Sequence, residues 1–240
     1  FGLGPVTTEI VQLVVCVCLA SILLGGLRRS LRGTEMGEAF ASYFRQSGIL
    51  SILFFLMFYR FGEAMVAKMS PLFLQDAVEK GGLGLDTATV GTIKGVVGVV
   101  GIILGGILGG LFVSKRGLRR SFWTLAVLMH LPILLYLFAA VVRPPTAWMY
   151  PIDFVDQFGY GFGFAGYMIF QMRVAQRGNF RTTHYAMGVG IGAMFISVAG
   201  ILSGKIQEAF GWPGFFAVAA IMAIPGLLAV RLIPMEIAEE

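Results

Sequence analysis

Residues 90–142 read VGTIKGVVGVVGIILGGILGGLFVSKRGLRRSFWTLAVLMHLPILLYLFAAVV, two apolar runs (90–113 and 122–142) joined by a short segment carrying Lys115, Arg116, Arg119 and Arg120. Each run meets the requirement of about 20 apolar residues for a helix to cross about 30 Å of hydrocarbon. A basic connection between two such runs is the mark of a loop kept on the cytoplasmic side of a bilayer. Five further apolar stretches follow the same grammar: 8–27, 49–74, 148–172, 183–207 and 215–233. The remaining basic clusters fall in alternate connections, at Arg28, Arg29, Arg32 and Arg45, at Arg173, Arg177 and Arg181, and at Arg231. The intervening connections, 76–89, 143–147 and 208–214, carry few basic residues and read as outer loops. The sequence therefore predicts an all-α, multi-pass membrane protein of about seven transmembrane helices with its C-terminus in the cytoplasm.

Composition agrees. Of the 240 residues 57% are hydrophobic and only 13% charged, too apolar for a soluble domain. Alternating strands of about 10 residues are absent, which argues against a membrane β-barrel. The net charge of +5 resides in loops where topology accounts for it, so it points to a lipid bilayer and not to nucleic acid as partner. Cys16 and Cys18 stand two apart in the first stretch and face different sides of a helix, as packing residues do. That stretch has no basic flank or cleavage site of a signal peptide, and it runs from outside to inside from Phe1. These features suggest a segment of a longer protein. The expected organisation is a transmembrane helix within 1–27, a cytoplasmic interdomain loop over 28–47, a six-helix unit over 48–234 and a cytoplasmic tail over 235–240. Within the loop, Met36, Ala39, Phe40, Tyr43 and Phe44 recur at helical spacing and predict an amphipathic helix lying on the membrane surface.

Much of the glycine lies in 90–113, where Gly91 and Gly95, Gly101, Gly105 and Gly109, and Gly106 and Gly110 form stripes four apart. Small residues at that spacing let helix backbones approach closely in lipid, either as fixed packing or as a surface on which helices rock. The run Gly159-Tyr-Gly-Phe-Gly163 resembles a phosphate-binding glycine loop only superficially, since no strand precedes it.

Ionisable groups inside apolar spans cost at least about 2.5–3.5 kcal/mol each near the centre, so each needs a reason. Arg60 and Glu63 lie three apart on one helix face, either as a self-neutralising pair or as the lining of an aqueous cavity. Lys68 and Lys94 stand nearer the outer ends of their spans, where a lysine can snorkel to the interface. Asp153, Asp156, Gln157, Tyr160, Tyr167 and Gln171 follow three- and four-residue steps and form a polar and aromatic stripe that fits a cavity wall. Asp153 could equally serve only as partner to an outer lysine. His130, before Pro132, reads as a packed or hydrogen-bonded histidine, and His184 falls near a cytoplasmic helix entrance. No catalytic constellation, metal-ligand spacing, cofactor motif or nucleotide loop is present, so an ion gradient is the economical energy source.

The segment from Gly110 to Arg120 resembles the loop motif of the major facilitator superfamily between helices 8 and 9. In that motif a glycine is followed after three residues by an acid and a basic residue, then by a second glycine and a basic pair. Gly110, Lys115, Gly117, Arg119 and Arg120 are in register, and Ser114 stands where the acid is usual. Within the superfamily the chain is similar to the AmpG-like branch of muropeptide permeases and acetyl-CoA-transporter relatives. The similar stretches are Tyr59-Arg-Phe-Gly-Glu-Ala64, Val90-Gly-Thr-Ile-Lys-Gly-Val97 and Asp156-Gln-Phe-Gly-Tyr-Gly-Phe-Gly163, with Thr182-Thr-His-Tyr-Ala186, Phe210-Gly-Trp-Pro-Gly-Phe-Phe216 and Ile224-Pro-Gly226.

The resemblance implies a rocker-switch transporter of which this chain supplies helix 6 and the C-terminal six-helix half, the N-terminal half being the missing partner. It implies a small-molecule solute, alternating access, a proton gradient as energy source and residence in the inner membrane. Helices 7 and 10, the cavity-lining pair, are the spans that carry Arg60 and Glu63 and the Asp156 to Gln171 stripe. The expected function is proton-coupled import of a cell-wall-derived glycopeptide. Arg60 would hold a carboxylate, Glu63 or Asp156 the proton, and Tyr160 and Tyr167 the sugar faces. Export of drugs or metabolites, or solute sensing without transport, are the alternatives the same fold would allow.

Overall fold

The computed structural model describes residues 33–234. The first expected span with Cys16 and Cys18, the basic cluster at Arg28, Arg29 and Arg32, and the tail over 235–240 lie outside the described residues. The chain divides into two compact units, one ending at Gln46 and the other beginning at Ser47. In the first, α1 (Glu35–Phe44) starts at Thr34, whose side chain accepts a hydrogen bond from the Gly37 backbone N–H at 3.2 Å. Its helical spacing follows the sequence reading, with Ala39 and Tyr43 buried and Met36, Phe40 and Phe44 exposed.

The second unit is a bundle of helices, with no strand among the described residues. Four helical runs are long and apolar enough, by length and composition, to cross a bilayer: Ile49–Gln75, Thr87–Arg116, Leu118–Val142 and Arg181–Arg231. Beside them lies a more polar 28-residue helix, α8 (Met149–Gln176). All four runs are interrupted, the fourth at Gly211. The first consists of α2 (Ile49–Phe58) and α3 (Phe61–Gln75), parted by a turn at Tyr59 and Arg60. The second begins as α4 (Thr87–Gly91), widens into a π-helical stretch over Thr92–Gly98 and continues as α5 (Val99–Arg116). The third, α6 (Leu118–His130) and α7 (Ile133–Val142), is broken before Pro132, which has no N–H to continue the ladder.

Two connections read as loops prove much tighter. The motif segment from Gly110 to Arg120 is helical on both sides of one residue, Gly117, which ends α5 and opens α6 at φ 77°. Its second glycine is therefore a requirement of backbone geometry. Before it, the Ser114 hydroxyl donates to the Leu111 carbonyl at 2.9 Å and Arg116 lies over the Phe112 ring. The expected loop over 208–214 is a corner at the single residue Gly211, where φ is 66° and ψ −178° and two helices meet within the run α9 (Arg181–Arg231). Trp212, just past the break, donates from Nε1 to Asp76 Oδ2 at 3.0 Å and packs on Phe73. This contact fixes the corner against the end of α3.

The most extensive contact in the unit joins α5 to α8. A Cβ placed on Gly101 would lie 2.8 Å from the Phe154 carbonyl oxygen, and one on Gly109 would lie 2.5 Å from that of Phe162. Gly161 faces back, its Cβ position 2.9 Å from the Gly106 amide. Gly159 and Gly163 point to the other side, against Leu128 and against Leu125 and Met129 of α6. The glycine run of α8 is thus a two-sided packing surface, which removes the phosphate-loop reading. The remaining stripe positions Gly91, Gly95 and Gly110 touch nothing within 4 Å.

Two neighbouring glycines then separate packing from helix propensity. Gly109→Ala is expected to destabilise the bundle by about 1–3 kcal/mol through overpacking against Phe162. Gly110→Ala should leave stability unchanged or raise it by up to about 1 kcal/mol, the helix preference of alanine. Thermal unfolding of both variants in one detergent decides it, and equal midpoints would refute the interlock.

Candidate functional site

The break between α2 and α3 sets the site. Tyr59 closes the first arm and Arg60, at φ −106° and ψ 3°, caps the second. Hydrophobic spacing does not reveal this break, because no proline or glycine marks it. Arg60 leaves its own helix and donates from Nη2 to the Tyr160 hydroxyl of α8 at 2.8 Å. Its guanidinium lies 4.6 Å from the ring centroid of Phe164, 5.2 Å from that of Tyr160 and 5.6 Å from that of Tyr167. Three rings within about 6 Å form a cation–π cradle. Tyr167 is locked in turn, its hydroxyl donating to the Leu56 carbonyl at 3.1 Å and its ring stacked on Tyr59. The Tyr59 hydroxyl donates to the Gly163 carbonyl at 3.2 Å.

Glu63 sits in the first turn of α3, where a carboxylate favours the positive end of the helix. Its Oε2 lies 3.8 Å from Arg60 Nη2, too long for a hydrogen bond, and it is buried without a donor. The pair is therefore loose, with the guanidinium drawn toward the aromatic cradle. Gln171 is buried further along α8 beyond Tyr167, and its Oε1 also has no hydrogen-bond partner.

A second cluster forms where the π-helical stretch meets α8. Lys94 Nζ bonds Asp153 Oδ1 and also donates to the Tyr136 hydroxyl at 2.8 Å. The same hydroxyl donates to Asp153 Oδ1 at 2.6 Å. Asp153 is fully buried, so it serves as the lysine's partner, and Lys94 is anchored inside the bundle instead of snorkelling. Lys68, by contrast, is exposed. One turn along α8, Asp156 is buried with only the Gln157 amide as a hydrogen-bonding partner, at 3.0 Å. Glu63 lies within electrostatic reach of Arg60, Asp156 and Lys94, which joins the clusters into one network.

The sequence-selected residues Arg60, Glu63, Tyr160 and Tyr167 thus converge, with Asp156 and Gln157 alongside and Gln171 at the margin. Sequence reasoning missed Tyr59, Phe164 and Tyr136 as members. Their residue types are ordinary for packing, and only the fold aims them here. For Asp153 the sequence offered an outer lysine as partner without choosing between Lys68 and Lys94, and the structure makes it Lys94. His130 is buried with its ring 6.1 Å from that of Tyr59, as a packed histidine would be. No group of His, Cys, Asp and Glu among the described residues could hold a metal ion.

No family model matches the chain. It is 27% identical over 180 residues to a protein named putative transporter AmpG 1 of Rickettsia felis, covering 75% of this chain and 39% of that protein. A protein of the same name from Rickettsia bellii is 27% identical over 184 residues, with 77% and 43% covered. The anhydromuropeptide permease of Escherichia coli K12 is 23% identical over 186 residues, with 78% and 37% covered. The chain spans about two fifths of the length of these relatives. They bear out the resemblance to AmpG-like transporters of the major facilitator type, and with the apolar helices they support a multi-pass membrane protein.

Tyr136→Phe tests the second cluster. It removes the donor to Asp153 and an acceptor for Lys94, leaving a buried carboxylate short of one bond, and should cost about 1–3 kcal/mol. A thermal midpoint equal to wild type would show that the hydroxyl is not part of the network.

Proposed function

We propose that this chain is the C-terminal half of a proton-coupled secondary transporter that imports a cell-wall-derived glycopeptide, of the kind named in the Escherichia coli relative, by alternating access. The observation that carries the reading is Arg60, a cation at the break of an apolar helix, held in an aromatic cradle on the neighbouring helix. Breaks of this kind are where membrane transporters place solute and ion sites, because backbone and side-chain polarity become available at mid-depth. Arg60 can offer a planar double donor to a solute carboxylate. The half-buried ring of Tyr160 offers a flat apolar face, and its phenolic oxygen and Gln157 offer hydrogen-bonding edges, as sugar rings require. Tyr167, buried against Tyr59, backs the cradle from behind. Gln171 would extend that polar wall.

Charge accounting supports proton coupling. Arg60 and Lys94 face three acids, Glu63, Asp153 and Asp156, so a fully ionised network holds one uncompensated negative charge in a low-dielectric interior. One proton on Glu63 or Asp156 would restore neutrality. The opposing wall of the cavity belongs, in this reading, to an N-terminal half. The protein would reside in the inner membrane, with the Lys115 to Arg120 corner and the C-terminus on the cytoplasmic side.

The test is uptake of labelled anhydromuropeptide by proteoliposomes containing the full-length protein, with and without an imposed pH gradient. Gradient-stimulated accumulation is expected, and its absence from folded protein would overturn the reading. Arg60→Gln should raise the half-saturating solute concentration about tenfold to a hundredfold, as loss of a charge-assisted hydrogen bond does. Of Glu63→Gln and Asp156→Asn, one should lose accumulation while keeping solute counterflow. Full accumulation by both would remove the acids from coupling.

A further inference from the structure

Lys94 occupies an unusual position. It projects from the π-helical stretch Thr92–Gly98, a turn that holds one more residue than the α-helix around it and that marks functional sites in many helices. Its ammonium bonds Asp153 of α8, and Asp156 stands three residues further on the same helix face, within the lysine's electrostatic reach. Asp153 engages it through Oδ1 only. The other oxygen, Oδ2, is buried without a donor and points at Gly98, where a Cβ would lie 2.8 Å away. Asp156 has only a neutral amide, that of Gln157, as its hydrogen-bond partner and no cation bonded to it. The lysine side chain is about one-fifth exposed, so it is not sealed in place as Asp153 is.

We propose that Lys94 is a counter-ion shared between Asp153 and Asp156, and that its movement between them reports the proton on Asp156 to the helical run Thr87–Arg116. The inference rests on the proton-coupled reading above and assigns its proton site to Asp156 instead of Glu63.

The groups facing Asp156 fix the logic. From α8 come Asp153 and Gln157, from the π-helical stretch Lys94, from α7 Tyr136, and from α3 Glu63 with Arg60 beside it. With a proton on Asp156, that residue is neutral and the ammonium belongs to Asp153, which is the arrangement seen. When the proton leaves, two carboxylates one turn apart compete for one ammonium. Arg60 is held by the Tyr160 hydroxyl and the aromatic cradle and pairs only loosely with Glu63, which leaves Lys94 as the cation able to change partner. A lysine on a flexible four-carbon stem can change partner where an arginine fork would not. Asp153 keeps a donor throughout, because the Tyr136 hydroxyl stays on Oδ1. The lysine side chain, about one-fifth exposed, is the mobile member of the cluster, while Asp153 is held against Gly98.

Infrared spectroscopy of the full-length protein in lipid vesicles tests this without any transport assay. A protonated-carboxyl band should appear as pH falls and should be missing in Asp156→Asn, which assigns it. Lys94→Gln should raise the midpoint of that band by about 1–3 pH units, the effect of removing an adjacent opposite charge. Should that variant fail to fold with Asp153 unpaired, the comparison runs between Asp153→Asn and the double variant Lys94→Gln with Asp153→Asn. The same rise is expected between those two, and it reads the lysine on Asp156 alone. An Asp156 band whose midpoint ignores Lys94, or no such band, overturns the proposal. A Lys94-dependent midpoint together with absent uptake would instead retain the shared counter-ion and remove the transport reading.

Discussion

A charge taken out of water between apolar helices must find its neutralising partner inside the protein. This bundle places five such charges within one network. Desolvating an isolated ion costs several kcal/mol even after relaxation, more than most single packing contacts return. The positions of Arg60, Glu63, Lys94, Asp153 and Asp156 are therefore constraints on the fold as much as features of a site. The break at Tyr59 and Arg60, the turn widened around Lys94 and the inward aim of Tyr136 all follow from the need to bring donors to these groups. Helices that satisfied their own backbones without interruption would leave the ions at fixed spacings, and the spacings would not match.

Against this irregular half stands a regular one. Helices α5 and α8 approach until glycine Cα atoms meet backbone carbonyls, as Gly101 does with Phe154 and Gly109 with Phe162. In lipid, where burial of apolar surface gives little advantage of helix over tail, such close packing is the principal attraction available. The acids of α8 thus ride on a firmly held helix. Arg60 rides on an interrupted one, tied to α8 only through rings and hydroxyls.

The helical runs were largely legible in the sequence, because apolar length, which located them, is a long-range average. Failures came where one residue decides. Gly117 and Gly211 each turn the chain alone, so the connections at 110–120 and 208–214 looked longer than they are. The break at Arg60 left no trace, since a polar residue at mid-span reads the same whether the helix continues or stops. At the site, spacing on one helix found Arg60 with Glu63 and placed Asp156, Tyr160 and Tyr167 on a common stripe. It offered Asp153 a lysine partner but could not choose Lys94, 59 residues away, over Lys68, because that pairing depends on how two glycine faces set the helices in register. Phe164 and Tyr59 were invisible for the same reason, being packing residues by type and site residues only by position.

The contrast between held and interrupted helices bears on mechanism. Alternating access requires parts of a bundle to move against others around a fixed solute. Rotation about the turn at Tyr59 and Arg60 would change how far the guanidinium reaches toward Tyr160 while leaving the α5–α8 interlock intact. A solute carboxylate competing for that guanidinium would weaken its hold on the Tyr160 hydroxyl and the Phe164 ring. It would thereby loosen α3 from α8 at the moment of binding. Loss of a proton from Asp156 would act from the other side, drawing Lys94 and its wide turn along α8. Solute and proton would then bias the same contact surface through different helices, the condition for coupling one to the other without a shared ligand.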